Sequence, residues 1–226
     1  MENGVLYIVS TPIGNLGDIT YRAVNVLSEV DLIAAEDTRT SRVLLQRYGI
    51  RTPMTSFHAH NQAQKTPVLL RRLQAGQKIA VISDAGTPGI SDPAHYLVTR
   101  ALEAGVQVLP IPGAAAFLAA LVVSGLPTNR FVFEGFLPAK KGRKKRLAQL
   151  AEEERTIVLY ESPHRLQKTL RELLDTLGNR RIAVARELTK KFEEVFRSDL
   201  QSAVAEFEGR KARGEFVLVI EGKPKK

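Results

Sequence analysis

An α/β fold in two domains, with mainly parallel sheets and a cleft between the domains, is what this sequence predicts. Three observations predict it. Short apolar runs alternate with helical patterns from Val5 to Glu221. The runs are continuous rather than alternating, as in strands buried on both faces of a parallel sheet. The rhythm pauses once, at Pro110-Ile111-Pro112-Gly113, and divides the chain into 1–112 and 113–226. Halves of this size match the usual ~100–150 residues of a domain.

Taken in order, Val5–Val9 is the first strand, the Tyr21–Val30 pattern the first helix and Leu32–Ala35 the second strand. Arg42–Tyr48 is helical, and Met54–Phe57 is a short strand after Pro53. Asn61 with Gln64 has capping-box spacing for a helix that Gly76 ends. Lys78–Ile82 and Val106–Leu109 complete the first sheet, with a helix over Ala94–Ala104 between them. The second half opens with a helix at Ala114–Ser124. Its strands are Arg130–Phe133, Thr156–Tyr160, Ile182–Arg186 and Glu215–Glu221, and its helices lie near Lys145–Glu153, Pro163–Leu177 and Ser198–Glu208. Ser162-Pro163 reads as a cap with a first-turn proline, and Gly178 as a C-cap.

Composition narrows the function. Hydrophobic residues at 44% and charged residues at 25% fit a soluble globular chain. A formal charge of +9 points to a polyanionic partner, although excess charge also serves solubility. The chain has no cysteine, which excludes disulfides and thiolate metal sites and fits a reducing cytoplasm. Pro12, Gly14 and Asn15 interrupt any signal-peptide core, and Ala114–Val123 is too short for a membrane span. A cytoplasmic protein is expected.

The loop Ser83-Asp84-Ala85-Gly86-Thr87-Pro88-Gly89-Ile90-Ser91-Asp92-Pro93 lies between a strand and a helix, where open parallel sheets bind ligands. Gly86 and Gly89 let backbone approach a ligand, Asp84 and Ser91 add polar groups, and Asp92 can cap the helix with Pro93 at its first position. A plain glycine-rich turn is the alternative. Ser10–Asp18, after the first strand, is not the G-x-G-x-x-G fingerprint, and no G-x-x-x-x-G-K-S/T loop exists, so nucleotide triphosphate hydrolysis is not expected. Glu36-Asp37-Thr38-Arg39 places three charges at a strand end, used in chemistry or set against a helix dipole. His58 and His60 alternate faces with no third ligand nearby, so no metal is expected.

Six motifs together carry a resemblance. They are Ser10–Thr20, Ala35-Glu36-Asp37-Thr38-Arg39, Ser83–Pro88, Glu134-Gly135-Phe136-Leu137-Pro138, Tyr160-Glu161-Ser162-Pro163-His164-Arg165 and Ala185-Arg186-Glu187-Leu188-Thr189-Lys190. Over essentially the whole chain, the sequence resembles the ribosomal RNA small subunit methyltransferase I family. That family is part of the tetrapyrrole-methylase-like class of S-adenosylmethionine (SAM) methyltransferases. The resemblance implies 2'-O-ribose methylation of a cytidine in the decoding region of 16S rRNA, SAM bound in the cleft between two α/β domains, and a homodimer. Many members carry a further C-terminal helical segment, whereas this sequence stops at Lys226.

By position, the resemblance assigns Thr11, Pro12, Asp84, Gly86, Ile90 and Ser91 to SAM. Ala115 and Ala116 match a helix start able to meet its carboxylate, and Tyr160, Ala185, Glu215 and Phe216 fall at strand ends in the second domain. A ribose hydroxyl needs a proton acceptor. Asp37 is the first candidate, by correspondence with an aspartate in tetrapyrrole-modifying relatives, with Glu36 and His58 as alternates. Arg39 pairs with that carboxylate or holds a phosphate. The run Lys140, Lys141, Gly142, Arg143, Lys144, Lys145, Arg146 reads as a mobile RNA contact, because clustered like charges disfavour a helix unless an anion binds. Arg165 extends the same surface. A tetrapyrrole methyltransferase and a non-catalytic ribosome-binding factor of this fold are the competing readings.

Overall fold

The computed structural model describes residues 3–92 and 94–224. The expected place of Pro93, at the first position of a helix, lies outside the described residues. The chain divides into two compact units, Met1–Ala115 and Ala116–Lys226.

The first unit is a five-stranded sheet in the order β3-β2-β4-β1-β5: β1 Val5–Val9, β2 Leu32–Ala35, β3 Met54–Ser56, β4 Ile79–Ile82 and β5 Gln107–Ile111. Every pairing in it is parallel. Four helices connect the strands: α1 Tyr21–Glu29, α2 Thr38–Arg47, α3 Gln62–Gln74 and α4 Ala94–Glu103. On one face, Leu27 of α1 and Leu45 of α2 pack with Val9, Ile33 and Ile82. On the other, Leu73 of α3 and Leu97 of α4 pack with Leu6, Ala34 and Val81. The neighbouring strands β1 and β4 therefore send their following helices, α1 and α4, to opposite faces. Loops that part in this way leave a crevice at the carboxyl ends of the strands.

Caps set where the helices begin. The Thr20 hydroxyl accepts the Ala23 N–H at 3.1 Å to start α1. Asp37 accepts the Arg39 N–H at 2.8 Å and starts α2 four residues earlier than the periodicity predicts. The capping box expected at Asn61 does not form. Asn61 has a helical backbone (φ −116°, ψ −4°), and its side chain turns back to accept the His58 N–H at 2.9 Å. An extended cap residue is what the box requires.

The second unit contains α5 Ala116–Val123, β6 Phe131–Phe136, α6 Arg143–Ala151, β7 Thr156–Glu161, α7 Leu166–Leu177, β8 Arg181–Arg186, β9 Glu194–Asp199, α8 Leu200–Phe207 and β10 Phe216–Ile220. Its sheet runs β6-β7-β10-β8-β9. Only β6 with β7 is parallel, while the other three ladders are antiparallel. Among the described residues, five of the eight pairings are thus parallel, and the exceptions gather in this unit. The edge strand β9 has no counterpart in the apolar runs, because Glu194-Val195-Phe196-Arg197-Ser198-Asp199 is mostly polar. Helix α7 starts at Leu166 instead of Pro163: the Ser162 carbonyl takes the N–H groups of both Arg165 and Leu166, which makes 163–165 a turn. The core joins Leu159, Leu170, Leu173, Val184 and Leu218. Among the described residues, no helix is long and apolar enough to cross a membrane.

Candidate functional site

Three strand-end loops of the first unit lock together. Thr11, after β1, and Gly86, after β4, exchange backbone hydrogen bonds of 2.8 and 3.1 Å. The Thr87 hydroxyl donates to the Ala114 carbonyl at 3.1 Å, so the Ser10 hydroxyl, 2.9 Å away, must be the donor between the two. Thr11 and Pro12 are buried, and the Thr11 hydroxyl is engaged with the Ser83 carbonyl at 3.2 Å. Both closures need glycine. Gly86 has φ +84°, and a Cβ on Gly113 would lie 2.8 Å from the Ser10 Cβ. Beyond Gly86 the loop opens outward, with Gly89 exposed and a left-handed backbone at Ser91 (φ +70°). A non-glycine residue held there stores of order 1–3 kcal/mol of strain. Asp92 accepts the Gly89 N–H at 2.6 Å and the Ala94 N–H at 3.1 Å, tying this turn to α4. The Ile90 N–H closes on the Thr87 carbonyl at 3.2 Å.

Carboxylates gather beside this knot. The Asp37 N–H donates to Asp84 Oδ1 at 2.9 Å, and the Asp84 N–H to Glu36 Oε2 at 3.3 Å. Burial, aided by the charges of Asp84 and Asp92, raises the Glu36 pKa against the pull of the Asp84 N–H. Burial also raises that of Asp84. Asp37 behaves oppositely. Hydrogen bonds from the Arg39 side chain and backbone lower its pKa to about 2. Its carboxylate is 2.7 Å from Arg39 Nη2, and the Arg39 side chain otherwise reaches into solvent. His58 is half-buried, with Nε2 3.1 Å from Asn61 Nδ2 and no hydrogen-bond partner for Nδ1. Among the described residues, no group of three or more histidine, aspartate or glutamate side chains could hold a metal ion.

In the second unit, Tyr160 and Ala185 flank Val217 of β10 in one row of the sheet, with Phe216 in the next. These three positions share one end of the sheet. The Tyr160 ring packs on Phe133 and Phe136, and its hydroxyl accepts the Phe117 N–H at 3.3 Å near the start of α5. Burial raises its pKa. The Ala185 and Phe216 side chains belong to the interior, and both residues are paired with neighbouring strands on either side. Glu215 is exposed and holds Lys190 Nζ at 2.8 Å. Ala115 precedes the first turn of α5 and Ala116 begins it.

The basic run is not one mobile phosphate contact. Gly142 (φ +83°) starts α6, and Arg143, the first residue of the helix, is 5% exposed. Arg143 donates to Glu172 at 2.7 Å, to Thr169 Oγ1 at 2.7 Å and to the Pro138 carbonyl at 3.1 Å. Thr169 in turn donates to the buried Glu161 at 2.6 Å. Arg143 is therefore an anchor and not an RNA ligand, because its guanidinium is enclosed and all three of its nitrogens donate within the protein. Arg146 is bound twice by Glu134, and Arg165 is held by Glu161 at 2.8 Å and by the Leu137 carbonyl at 3.0 Å. Lys140, Lys141, Lys144 and Lys145 are exposed. The side-chain ties of Arg143 were not legible locally, since Thr169 and Glu172 lie 26 and 29 residues away.

An all-parallel sheet with glycine-dependent loops at a switch point, joined to a second α/β unit, defines the class of ligand-binding α/β enzymes. Residues 5–204 match the family model described as tetrapyrrole (corrin/porphyrin) methylases, and the chain belongs to that family. A relative from Synechocystis named ribosomal RNA small subunit methyltransferase I is 58% identical over 97% of this chain and 79% of its own length. One of the same name from Thermotoga maritima is 47% identical over 97% of this chain and 99% of its own. Among solved structures, uroporphyrin-III C-methyltransferase from Thermus thermophilus, complexed with S-adenosylhomocysteine, shares the fold. Its TM-score is 0.68, at 21% identity over 96% of this chain and 97% of that one.

Proposed function

We propose that this chain transfers the methyl group of SAM to the ribose 2'-OH of a cytidine in the decoding region of 16S rRNA. The observation that carries the reading is 58% identity, over 97% of the chain, to a relative named as a small-subunit rRNA methyltransferase. The exposed lysines around the start of α6, spread along the chain, suit an extended polyanion such as RNA.

The residues present fit SAM. The Asp84 carboxylate and the polar Ser91 suit its ammonium and ribose groups, and the turn at Gly86–Gly89 allows close backbone approach. The N–H groups at Ala115 and Ala116 suit its carboxylate. When bound, SAM supplies an electrophilic methyl group on a sulfonium. Holding the ribose in line with that group is the protein's main task, worth up to about 7–11 kcal/mol in favourable cases. The 2'-OH proton needs an acceptor, which contributes about 10²–10⁴-fold. Glu36, with its raised pKa, is better matched to this role than Asp37, which Arg39 holds as a weak base. Asp37 serves instead to start α2 and to orient Arg39 toward phosphate.

A cytoplasmic homodimer completes the reading. Leu118 and Val122 stand one turn apart on α5, 47% and 64% exposed, as a self-associating face would. Labelled SAM incubated with small ribosomal subunits, free 16S rRNA and a tetrapyrrole tests the function. The expected result is label in the RNA as a 2'-O-methylated cytidine. Label in the tetrapyrrole, or none anywhere, overturns the proposal.

A further inference from the structure

The basic helix start does more than face solvent. A cavity of about 350 Å³ lies between it and the end of β6, lined by Phe136, Pro138, Gly142, Lys145, Arg146 and Gln149, among others. That volume is at the lower end of small-ligand sites, which run about 300–1,000 Å³.

The sequence builds this cavity through a bulge. The register of β6 against β7 shifts between Phe133 and Gly135, and Gly135 has φ +59°. Bulges of this kind re-aim side chains next to functional sites. Here the residue just beyond is Phe136, on an edge strand and 54% exposed. One side of the ring packs against Tyr160, at 5.6 Å between centroids, and the rest is apolar surface left in water at the mouth of a cavity that Lys145 also lines. The floor is polar and ordered: Glu134, with a side chain only 7% exposed, is neutralised by Arg146, and Arg146 Nη1 donates to Gln149 Oε1 at 2.9 Å. The Arg143 cluster beneath fixes the helix start that carries Lys145.

We propose that this cavity binds one unpaired nucleotide of the RNA substrate. The base lies against the Phe136 ring and meets the Glu134–Arg146–Gln149 array with its edge, and the phosphate meets Lys145. Stacking on an exposed aromatic ring, with a cation beside it, is how single-stranded RNA is held, whereas a duplex keeps its bases out of reach. The inference rests on the RNA-methyltransferase reading and goes beyond it by selecting a single-stranded segment.

The test is binding of a labelled ten-nucleotide single-stranded RNA, and of the same sequence as a duplex, by fluorescence anisotropy. Phe136→Leu is expected to weaken the single strand about tenfold and leave the duplex within about twofold, and Phe136→Trp to restore single-strand binding. Lys145→Gln is expected to weaken both and to reduce the salt slope by about 0.7–0.9. Thermal unfolding of Phe136→Leu, at a position that is half-exposed, confirms the fold. Equal loss for single strand and duplex, or no loss for either, overturns the nucleotide site and leaves the methyltransferase reading in place. Failure of the unaltered protein to methylate small subunits overturns that reading, and this inference with it.

Discussion

The carboxyl ends of the first sheet and the start of α6 carry opposite charges and are built in opposite ways. Glu36, Asp37, Asp84 and Asp92 crowd the first region, and the loops around them are fixed by backbone hydrogen bonds at Gly86 and by a close approach of Gly113 to Ser10. Lys140, Lys141, Lys144 and Lys145 populate the second, above a buried arginine whose ties reach α7. An acidic, rigid setting suits a small cationic sulfonium, and a basic, exposed one suits a polyanion. Charge type alone does not separate ligands from scaffold. In each region one charged residue, Asp37 or Arg143, is spent on holding the others in place.

The sharpest way to break this contrast is at the carboxylates. Glu36→Gln is expected to lower the single-turnover methylation rate by about 10²–10⁴-fold with SAM affinity nearly unchanged. Asp37→Asn should cost less, and a larger effect there in single-turnover kinetics would reverse the assignment of the two residues. The anchor comes next. Arg143→Ala leaves Thr169 and the Pro138 carbonyl without their donor at an enclosed site and is expected to destabilise the protein by about 1–3 kcal/mol in urea titration. Loss of under about 0.5 kcal/mol would return Arg143 to the RNA surface. The exposed lysines should behave differently: changing Lys140, Lys141, Lys144 and Lys145 together to glutamine leaves stability nearly intact. The same change reduces the slope of log affinity for RNA against log salt by about 3, the sum of four phosphate contacts.

The smallest effect is on stability against pH. The Glu36 pKa is raised in the folded protein, so its ionisation opposes folding, and the stability it leaves falls as pH rises above the ordinary carboxyl range. Glu36→Gln should therefore gain in Tm relative to the unaltered protein between pH 4 and 7 and show no gain below. Asp37 has the opposite sign. Its pKa is lowered to about 2, so the contribution of its pairing with Arg39 is present above pH 4 and is lost as pH falls toward 2.

Much of the first unit was legible in the sequence because its inner strands β2 and β4 are buried on both faces and announce themselves as Val/Ile/Ala runs. Leu32–Ala35 is buried at every position. The edge strand β9 was silent, since its partner on one side only leaves Arg197 and Ser198 free to be polar. The strand-end motifs gave the positions of Asp84 and Gly86, yet not their mutual geometry. Asp37 and Asp84 are 47 residues apart and meet only through parallel pairing of β2 with β4. The basic run showed its charge and concealed its burial, because the carboxylate that claims Arg143 comes from a helix formed later in the chain. Phe136 read as part of a motif, and only the register shift beside it shows where its ring goes.

Amide hydrogen exchange, measured with SAM alone and then with small ribosomal subunits added, tests the central division of labour most directly. The expected result is protection at 83–91 and 113–116 on adding SAM, followed by new protection at 136–149 only when the subunits are present. Protection by SAM confined to segments outside the loops after β1, β4 and β5, or subunits that leave 136–149 exchanging as before, would contradict it.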